Sequence, residues 1–126
     1  MKLPDNLKYS KDHEWLRETE SGEAYIGVTD FAQSELGDIV FVDIDTQDEE
    51  LNQEEVFGTV EAVKTVSDLF MPISGKVLEI NAKLEDEPEL INNDPYGDGW
   101  IIKISITENN ELKSLLDAKE YKELID

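Results

Sequence analysis

Alternation of apolar and polar residues over short runs is the dominant pattern in the middle of the chain. A period of two is typical of strands that bury one face. In VFGTVEAV it assigns the even-numbered residues from Val56 to Ala62 to one face and the odd-numbered residues from Phe57 to Val63 to the other. The runs are rich in β-branched and aromatic residues, as strands are. The pattern predicts strands at 23–29, 38–44, 56–63, 75–80 and 100–106.

Two segments follow a helical pattern instead. In TDFAQSELG, Asp30 and Gln33 have the spacing of a capping box and Gly37 supplies a stop, which predicts a short helix at 30–36. The C-terminal segment repeats leucine at helical spacing, and a second capping box, Asp117 with Glu120, predicts a break into two short helices. Between these segments, residues 85–100 contain two prolines and two glycines and are predicted to form an ordered loop.

Length and charge then limit the fold. A chain of 126 residues is long enough for one domain with a single core. A charged fraction of 33% and a net charge of −20 are also found in disordered chains, but here the apolar residues are clustered and periodic. We therefore expect a mainly β protein, a sandwich or a flattened barrel with small helices.

Composition excludes several kinds of chemistry. The chain has no cysteine, so it offers no disulfide, thiolate nucleophile or cysteine metal site. It has one histidine, no nucleophile elbow and no phosphate-binding glycine loop, which disfavours an enzyme that acts alone. The acidic segment 45–55 lacks the central glycine and the alternation of a calcium-binding EF-hand loop.

The negative charge also bears on partners and location. It would repel nucleic acid and anionic membranes, and it suits docking onto basic patches of other proteins or simply keeps the protein in solution. No apolar run approaches the length of a membrane span. The first residues resemble neither a signal peptide nor a transit peptide. We expect a cytoplasmic protein, or the mature form of one from the mitochondrial matrix.

Lys64 is isolated among acidic residues. It is the only Lys or Arg between Arg17 and Lys76, an interval that holds fifteen Asp and Glu residues. Its flanking residues, VEAV and TVSDL, predict two short strands that meet at a tight turn, and a side chain at such a tip is accessible to other proteins. Lys64 is therefore either an ordinary surface lysine or an attachment point for a mobile cofactor.

The segment His13–Glu14–Trp15 also has two interpretations. It can pack the Trp15 ring and cap a strand, or Glu14 can contact a bound group. The sequence leaves both open.

The motifs YSKDHEW, VEAVK followed by SD and P.SG, and ELIN.DPYG.GW occur together over nearly the whole chain. With them the chain resembles the H proteins of the glycine cleavage system, which are lipoyl carriers. The resemblance implies one domain over 1–126, a barrel-sandwich hybrid with the lipoyl-binding region at about 24–106, and lipoate in amide linkage on Lys64. It makes Glu14 and Asp68 the candidate contacts of the loaded arm.

The family resemblance also implies a non-catalytic role with defined partners. The arm accepts an aminomethyl group from the glycine decarboxylase and presents it to the aminomethyltransferase. It is then reoxidised by dihydrolipoamide dehydrogenase, and lipoate-attaching enzymes load it. The chain departs from the usual pattern at Ala62, where Ser is common, and at Phe31, where His or Tyr is common. Two alternatives remain, an H-like relay that donates lipoate to other complexes and an unmodified interaction domain.

Overall fold

The computed structural model describes residues 1–19 and 22–126, and within them most of the backbone lies in short strands. The strands are β1 (Lys8–Tyr9), β2 (Glu14–Glu18), β3 (Glu23–Val28), β4 (Ile39–Asp43), β5 (Glu50–Leu51), β6 (Val56–Ala62), β7 (Val66–Phe70), β8 (Gly75–Ile80) and β9 (Ile102–Ile106). The helices are α1 (Asp30–Leu36), α2 (Lys83–Asp86), α3 (Leu90–Asn93), a 3-10 helix (Asn109–Ser114) and α4 (Ala118–Ile125).

The strands form two sheets whose neighbouring strands are all antiparallel. The larger sheet has six strands in the order β1-β2-β3-β9-β8-β5, and the smaller has three in the order β4-β6-β7. Both are open. Buried apolar side chains from both sheets join one core, for example Ile26 and Ile104 from the larger sheet and Val60 and Leu69 from the smaller. The expectation of a mainly β, flattened sandwich of the barrel-sandwich type is confirmed.

A second apolar cluster ties the two ends of the chain to the larger sheet. It contains Leu7, Tyr9, Trp15 and Tyr121, which brings β1, β2 and α4 together. Trp15 pairs with Gly27 across β2 and β3, and a Cβ added to Gly27 would lie 2.6 Å from the indole ring. The indole is fully buried because glycine leaves this space.

The five predicted strands are present, with some ends shifted, but the predicted faces of β6 are wrong at its start. A bulge between Val56 and Gly58 interrupts the alternation. Phe57 is therefore buried together with Val60 and Ala62, whereas Val56 is 42% exposed. The strands β1, β2 and β5 were not predicted, and β1 and β5 are only two residues long.

The helix predictions hold with one correction. The N-cap of α1 is Thr29, whose hydroxyl accepts a hydrogen bond from the Ala32 amide, and Asp30 accepts one from the Gln33 side chain instead. Gly37 ends α1 with a φ of +86°. At the C-terminus, the 3-10 helix and α4 are separate, and the second capping box at Asp117 is confirmed.

The predicted loop at 85–100 contains part of α2 and all of α3, because Leu84 and Ile91 bury their side chains in the core. None of the helices in the described part of the chain is long and apolar enough to cross a membrane.

Candidate functional site

Lys64 lies at the tip of the hairpin that β6 and β7 form. Glu61 pairs with Val66 at the end of the ladder, and the Ala62 amide donates to the Thr65 carbonyl oxygen at 2.7 Å, which closes the turn. The amide of Val63 donates to the Asp38 carbonyl oxygen at 3.1 Å. These bonds hold the backbone of the turn while its side chains remain exposed.

The Lys64 side chain extends over the end of α1. A Cβ added to Gly37 would lie 3.6 Å from Lys64 Cε, so the two residues are neighbours. No ion pair among residues 1–19 and 22–126 involves Lys64. The ammonium is therefore accessible and is not held by a carboxylate.

A cleft of about 380 Å³ opens beside the hairpin, between β7, α1 and the turn that precedes β2. Leu36, the neighbour of Gly37, lines it, so one end of the cleft lies close to the base of the hairpin tip. Its apolar wall also includes Val28, Phe31 and Leu69. The polar lining consists of Asp12, His13, Glu14, Glu35, Ser67 and Asp68, with neither Lys nor Arg.

Glu14 and Asp68, the two predicted arm contacts, thus line the same cleft although 54 positions separate them in the chain. Asp68 is exposed on the edge strand β7, whereas Glu14 is only 2% exposed. The carboxylate of Glu14 accepts hydrogen bonds from the Ser10 hydroxyl at 2.9 Å and from the Phe70 amide at 3.1 Å. These bonds connect the turn before β2 to β7 across the cleft.

The environment of Glu14 favours its protonated form. Burial raises its pKa from 4.5 to about 8, although the hydrogen bonds from Phe70 and Ser10 oppose the shift. The charges of Asp12 and Glu54 raise the pKa further. Glu14 is therefore a buried carboxyl group that exchanges a proton near neutral pH.

His13 forms part of the wall beside Glu14. Its backbone has a φ of +70°, an uncommon value for a residue other than glycine. Its Nδ1 is 2.8 Å from the Tyr121 hydroxyl, which is also 2.8 Å from the Thr29 hydroxyl. Its ring lies 5.0 Å from that of Phe31, and burial lowers its pKa, so the imidazole is neutral near pH 7. These contacts connect α4 and α1 to the cleft.

The two interpretations of the segment at 13–15 are compatible. Trp15 is fully buried and donates to the Pro95 carbonyl oxygen at 2.9 Å, as the packing interpretation requires. Its neighbour Glu14 faces the cleft. Sequence reasoning missed Ser10 and Tyr121, which hydrogen-bond to Glu14 and His13. No local pattern relates Tyr121 to a histidine 108 positions away.

Comparison with known proteins gives consistent results. The sequence model described as Glycine cleavage H-protein matches residues 7–126. The chain is similar to the glycine cleavage system H protein of Bacteroides fragilis, with 54% identity over 99% of this chain and 98% of the relative. Identity to the protein of the same name from Chlorobium limicola is 56%, with the same coverage.

Comparison with a solved structure gives the same result. The crystal structure of a glycine cleavage system H protein from Mycobacterium marinum superimposes with a TM-score of 0.84 at 36% identity, and the match covers 96% of this chain and 97% of that one. Sequence and structure agree over nearly the full length of the chain, and the chain therefore belongs to the glycine cleavage H-protein family.

Proposed function

We propose that Lys64 is the residue on which this lipoyl carrier of the glycine cleavage system holds its cofactor, in amide linkage. The observation that carries the proposal is the position of Lys64, exposed at a hairpin tip close to one end of a cleft. The chain acts as a non-catalytic subunit. Residues 1–126 form one domain in this proposal, with the lipoyl-binding region at about 24–106.

The residues present fit the cofactor. The side chain of Lys64 has no ion-pair partner in the described part of the chain, so acylation breaks no such contact. Gly37 has no side chain to crowd the attachment point. The cleft offers an apolar wall of Val28, Phe31 and Leu69 suited to a hydrocarbon arm.

Bound lipoate would supply the redox-active sulfurs that a chain without cysteine lacks. The protein's own residues bind and shelter the end of the arm. Asp68 places a carboxylate on the cleft wall, where it attracts a positively charged amine such as an aminomethyl group, and the buried Glu14 can ionise beside such a charge. The lining contains no Lys or Arg that would repel such a group.

The partners in this proposal follow from the role of the family. The glycine decarboxylase loads the aminomethyl group, the aminomethyltransferase removes it, and dihydrolipoamide dehydrogenase restores the disulfide. Lipoate-attaching enzymes modify Lys64 beforehand. The cytoplasm is the proposed location, consistent with the bacterial origin of the similar proteins.

Mass spectrometry of the intact protein tests the attachment site. Protein from cells supplied with lipoate is expected to gain the mass of one lipoyl group, and Lys64→Arg is expected to gain none. Lys76→Arg, on β8, is the matched control and should be modified like the wild type. An unmodified wild type, or a modified Lys64→Arg, would refute the proposal.

Glycine–bicarbonate exchange with purified glycine decarboxylase tests the pathway. The lipoylated wild type is expected to stimulate the exchange, and the apoprotein is not. A lipoylated protein without stimulation would favour the relay role, in which lipoate is passed to other complexes.

A further inference from the structure

A chain of hydrogen bonds behind the cleft ends on His13. The Nδ1 atom of His13 is 2.8 Å from the Tyr121 hydroxyl, which is 2.8 Å from the Thr29 hydroxyl. The Thr29 hydroxyl also accepts a hydrogen bond from the Ala32 amide at 3.1 Å. Tyr121 and Thr29 are both fully buried, so these two hydroxyls depend on protein partners rather than on bulk water. We call Thr29 and Tyr121 the hydroxyl relay.

Burial of the relay decides the direction of its hydrogen bonds. An amide N–H only donates, so the Thr29 oxygen accepts from Ala32 and the Thr29 O–H is left to donate. Among the described residues, the Tyr121 oxygen is the acceptor within reach of this O–H. Tyr121 therefore donates its own hydrogen to Nδ1 of His13. The opposite direction would leave a buried Thr29 O–H without an acceptor, which is unfavourable.

This direction assigns the tautomer of His13. A ring nitrogen that accepts a hydrogen bond carries no proton, so the neutral imidazole holds its proton on Nε2. Nε2 has no hydrogen-bond partner among the described residues, and none of their buried side-chain nitrogens lacks one, so Nε2 is accessible. Because His13 lines the cleft, its N–H is a neutral hydrogen-bond donor beside the cleft.

The acidic groups around His13 favour the charged imidazolium instead. Asp12 precedes it in the turn and Glu35 approaches from α1, and both charges raise its pKa. Glu14 and Asp68 line the same cleft from β2 and β7. Burial has the opposite effect and lowers the pKa. The relay acts in the same direction as burial, because its hydrogen bond into Nδ1 must break when that nitrogen gains a proton.

The backbone fixes the place of the ring. His13 has a φ of +70°, and its carbonyl oxygen accepts a hydrogen bond from the Thr29 amide at 3.0 Å. Thr29 therefore contacts His13 directly through the backbone and a second time through Tyr121. Uncommon backbone conformations persist where the surrounding structure imposes them, and they are concentrated at functional sites.

We propose that Tyr121 is a positioning residue for the aminomethyl-loaded arm. Through the hydroxyl relay it holds His13 as a neutral imidazole with its proton on Nε2, so the cleft lining carries no positive charge when the cationic end of the arm enters. An imidazolium at this wall would repel that group. The inference rests on the proposed attachment of lipoate to Lys64, and it gives a role to a residue of α4 that does not itself line the cleft.

The first test uses the apoprotein and does not depend on lipoate. Because the chain has one histidine, the NMR signals of the imidazole nitrogens in isotope-labelled protein report His13 alone. For the wild type at pH 8 we expect a protonated Nε2 and an unprotonated Nδ1. In Tyr121→Phe both tautomers should be populated, and the titration midpoint of His13 should rise by about 0.5 or more on the pH scale.

Two matched variants separate the relay from a general loss of a buried hydroxyl. Tyr96→Phe removes a hydroxyl that bonds to the backbones of Lys2 and Asp30 and not to His13, so it should leave the tautomer and the midpoint unchanged. Thr29→Ser keeps the relay and should behave like the wild type.

A second route to the same link does not depend on the folding of Tyr121→Phe. Thr29→Val removes the first donor of the relay and leaves Tyr121 in place, so it should also populate both tautomers. Circular dichroism and melting temperature establish that each variant is folded.

The second test uses the lipoylated protein loaded with the aminomethyl group. Water slowly removes this group, as the C–S and C–N bonds break to give the thiol, formaldehyde and ammonium, and shelter in the cleft slows the loss. At pH 5.5 we expect Tyr121→Phe to lose the group about threefold faster or more than Tyr96→Phe, because an imidazolium then repels the amine. At pH 8, where His13 is neutral in both variants, the two rates should agree.

Each outcome decides one part of the inference. A wild type with the His13 proton on Nδ1 overturns the relay, and an unchanged tautomer and midpoint in Tyr121→Phe and Thr29→Val overturn the role of Tyr121. Equal loss rates at both pH values, or faster loss from Tyr121→Phe at both, overturn the link between the charge of His13 and the arm. A wild type that is not lipoylated refutes the proposed function instead, and the measurements on the apoprotein stand apart from that failure.

Discussion

The pKa of Glu14 shows how the protonation of one side chain depends on its surroundings. Most of the acids on this chain are exposed, but Glu14 lies under the cleft with hydrogen bonds from Ser10 and Phe70. Burial without a cationic partner disfavours a carboxylate, which is why its pKa rises to about 8. The group can therefore be neutral while the cleft is empty and become ionised when a positive charge enters.

The raised pKa predicts a pH-dependent stability. The folded protein binds the Glu14 proton more tightly than the unfolded chain, where the pKa is 4.5, so stability falls as pH rises from about 4.5 to 8. Glu14→Gln lacks this proton equilibrium and should lose less melting temperature between pH 5 and pH 9 than the wild type. Glu50→Gln, which removes an exposed carboxylate, should follow the wild type. Parallel curves for the wild type and Glu14→Gln would contradict the prediction.

Helix α4 supports the cleft indirectly. Its Tyr121 stacks on Tyr9 with ring centroids 4.8 Å apart, and the Tyr121 hydroxyl bridges His13 and Thr29. The helix has only eight residues, so its own backbone hydrogen bonds would give it only marginal stability in water. Its stability depends on this packing and on the capping box that starts it.

Loss of the cap should therefore weaken the protein measurably. In the wild type the Glu120 amide donates a hydrogen bond to the Asp117 carboxylate at 2.7 Å. In Asp117→Ala this amide loses its partner. We expect the free energy of unfolding in urea to fall by about 1 kcal/mol. Glu123→Ala, an exposed change in the same helix, serves as the control and should alter it by less than about 0.5 kcal/mol. Equal losses in the two variants would show that the cap contributes nothing specific.

At the scale of the whole molecule, the net charge of −20 creates a field that extends beyond any single contact. The ion pairs found among the described residues lie largely at the surface and engage only Lys11, Lys83 and Lys103. Most of the negative charge is therefore available to act on a partner at a distance. A basic partner should be attracted before it makes contact.

The rate of reoxidation by dihydrolipoamide dehydrogenase should consequently depend on salt. Between about 0.01 M and 0.15 M ionic strength the Debye length falls from about 30 to 8 Å, and we expect kcat/KM for the reduced, lipoylated protein to fall about tenfold. Free dihydrolipoamide, which has no such field, is the control substrate and should show little change. Equal salt dependence for both substrates would argue against steering by the protein.

Most strands could be predicted because their signal is local. β3 and β4 are rich in β-branched and aromatic residues, the alternation in β8 and β9 follows from one face being buried, and the stop at Gly37 follows from a backbone conformation that suits glycine. The exceptions have nonlocal causes. The bulge in β6 depends on its partner β7, and the short strand β5 exists because β8 offers its edge.

The sequence by itself determined the mainly β class, the isolation of Lys64 at a turn and, through its combined motifs, the family. The first two are signalled by neighbouring residues, and the family by several short motifs taken together. Only the tertiary structure decided that Glu14 and Asp68 share a cleft and that Tyr121 reaches His13. Strand register and sheet packing bring such distant residues together. A single sequence does not specify which residues will meet in this way.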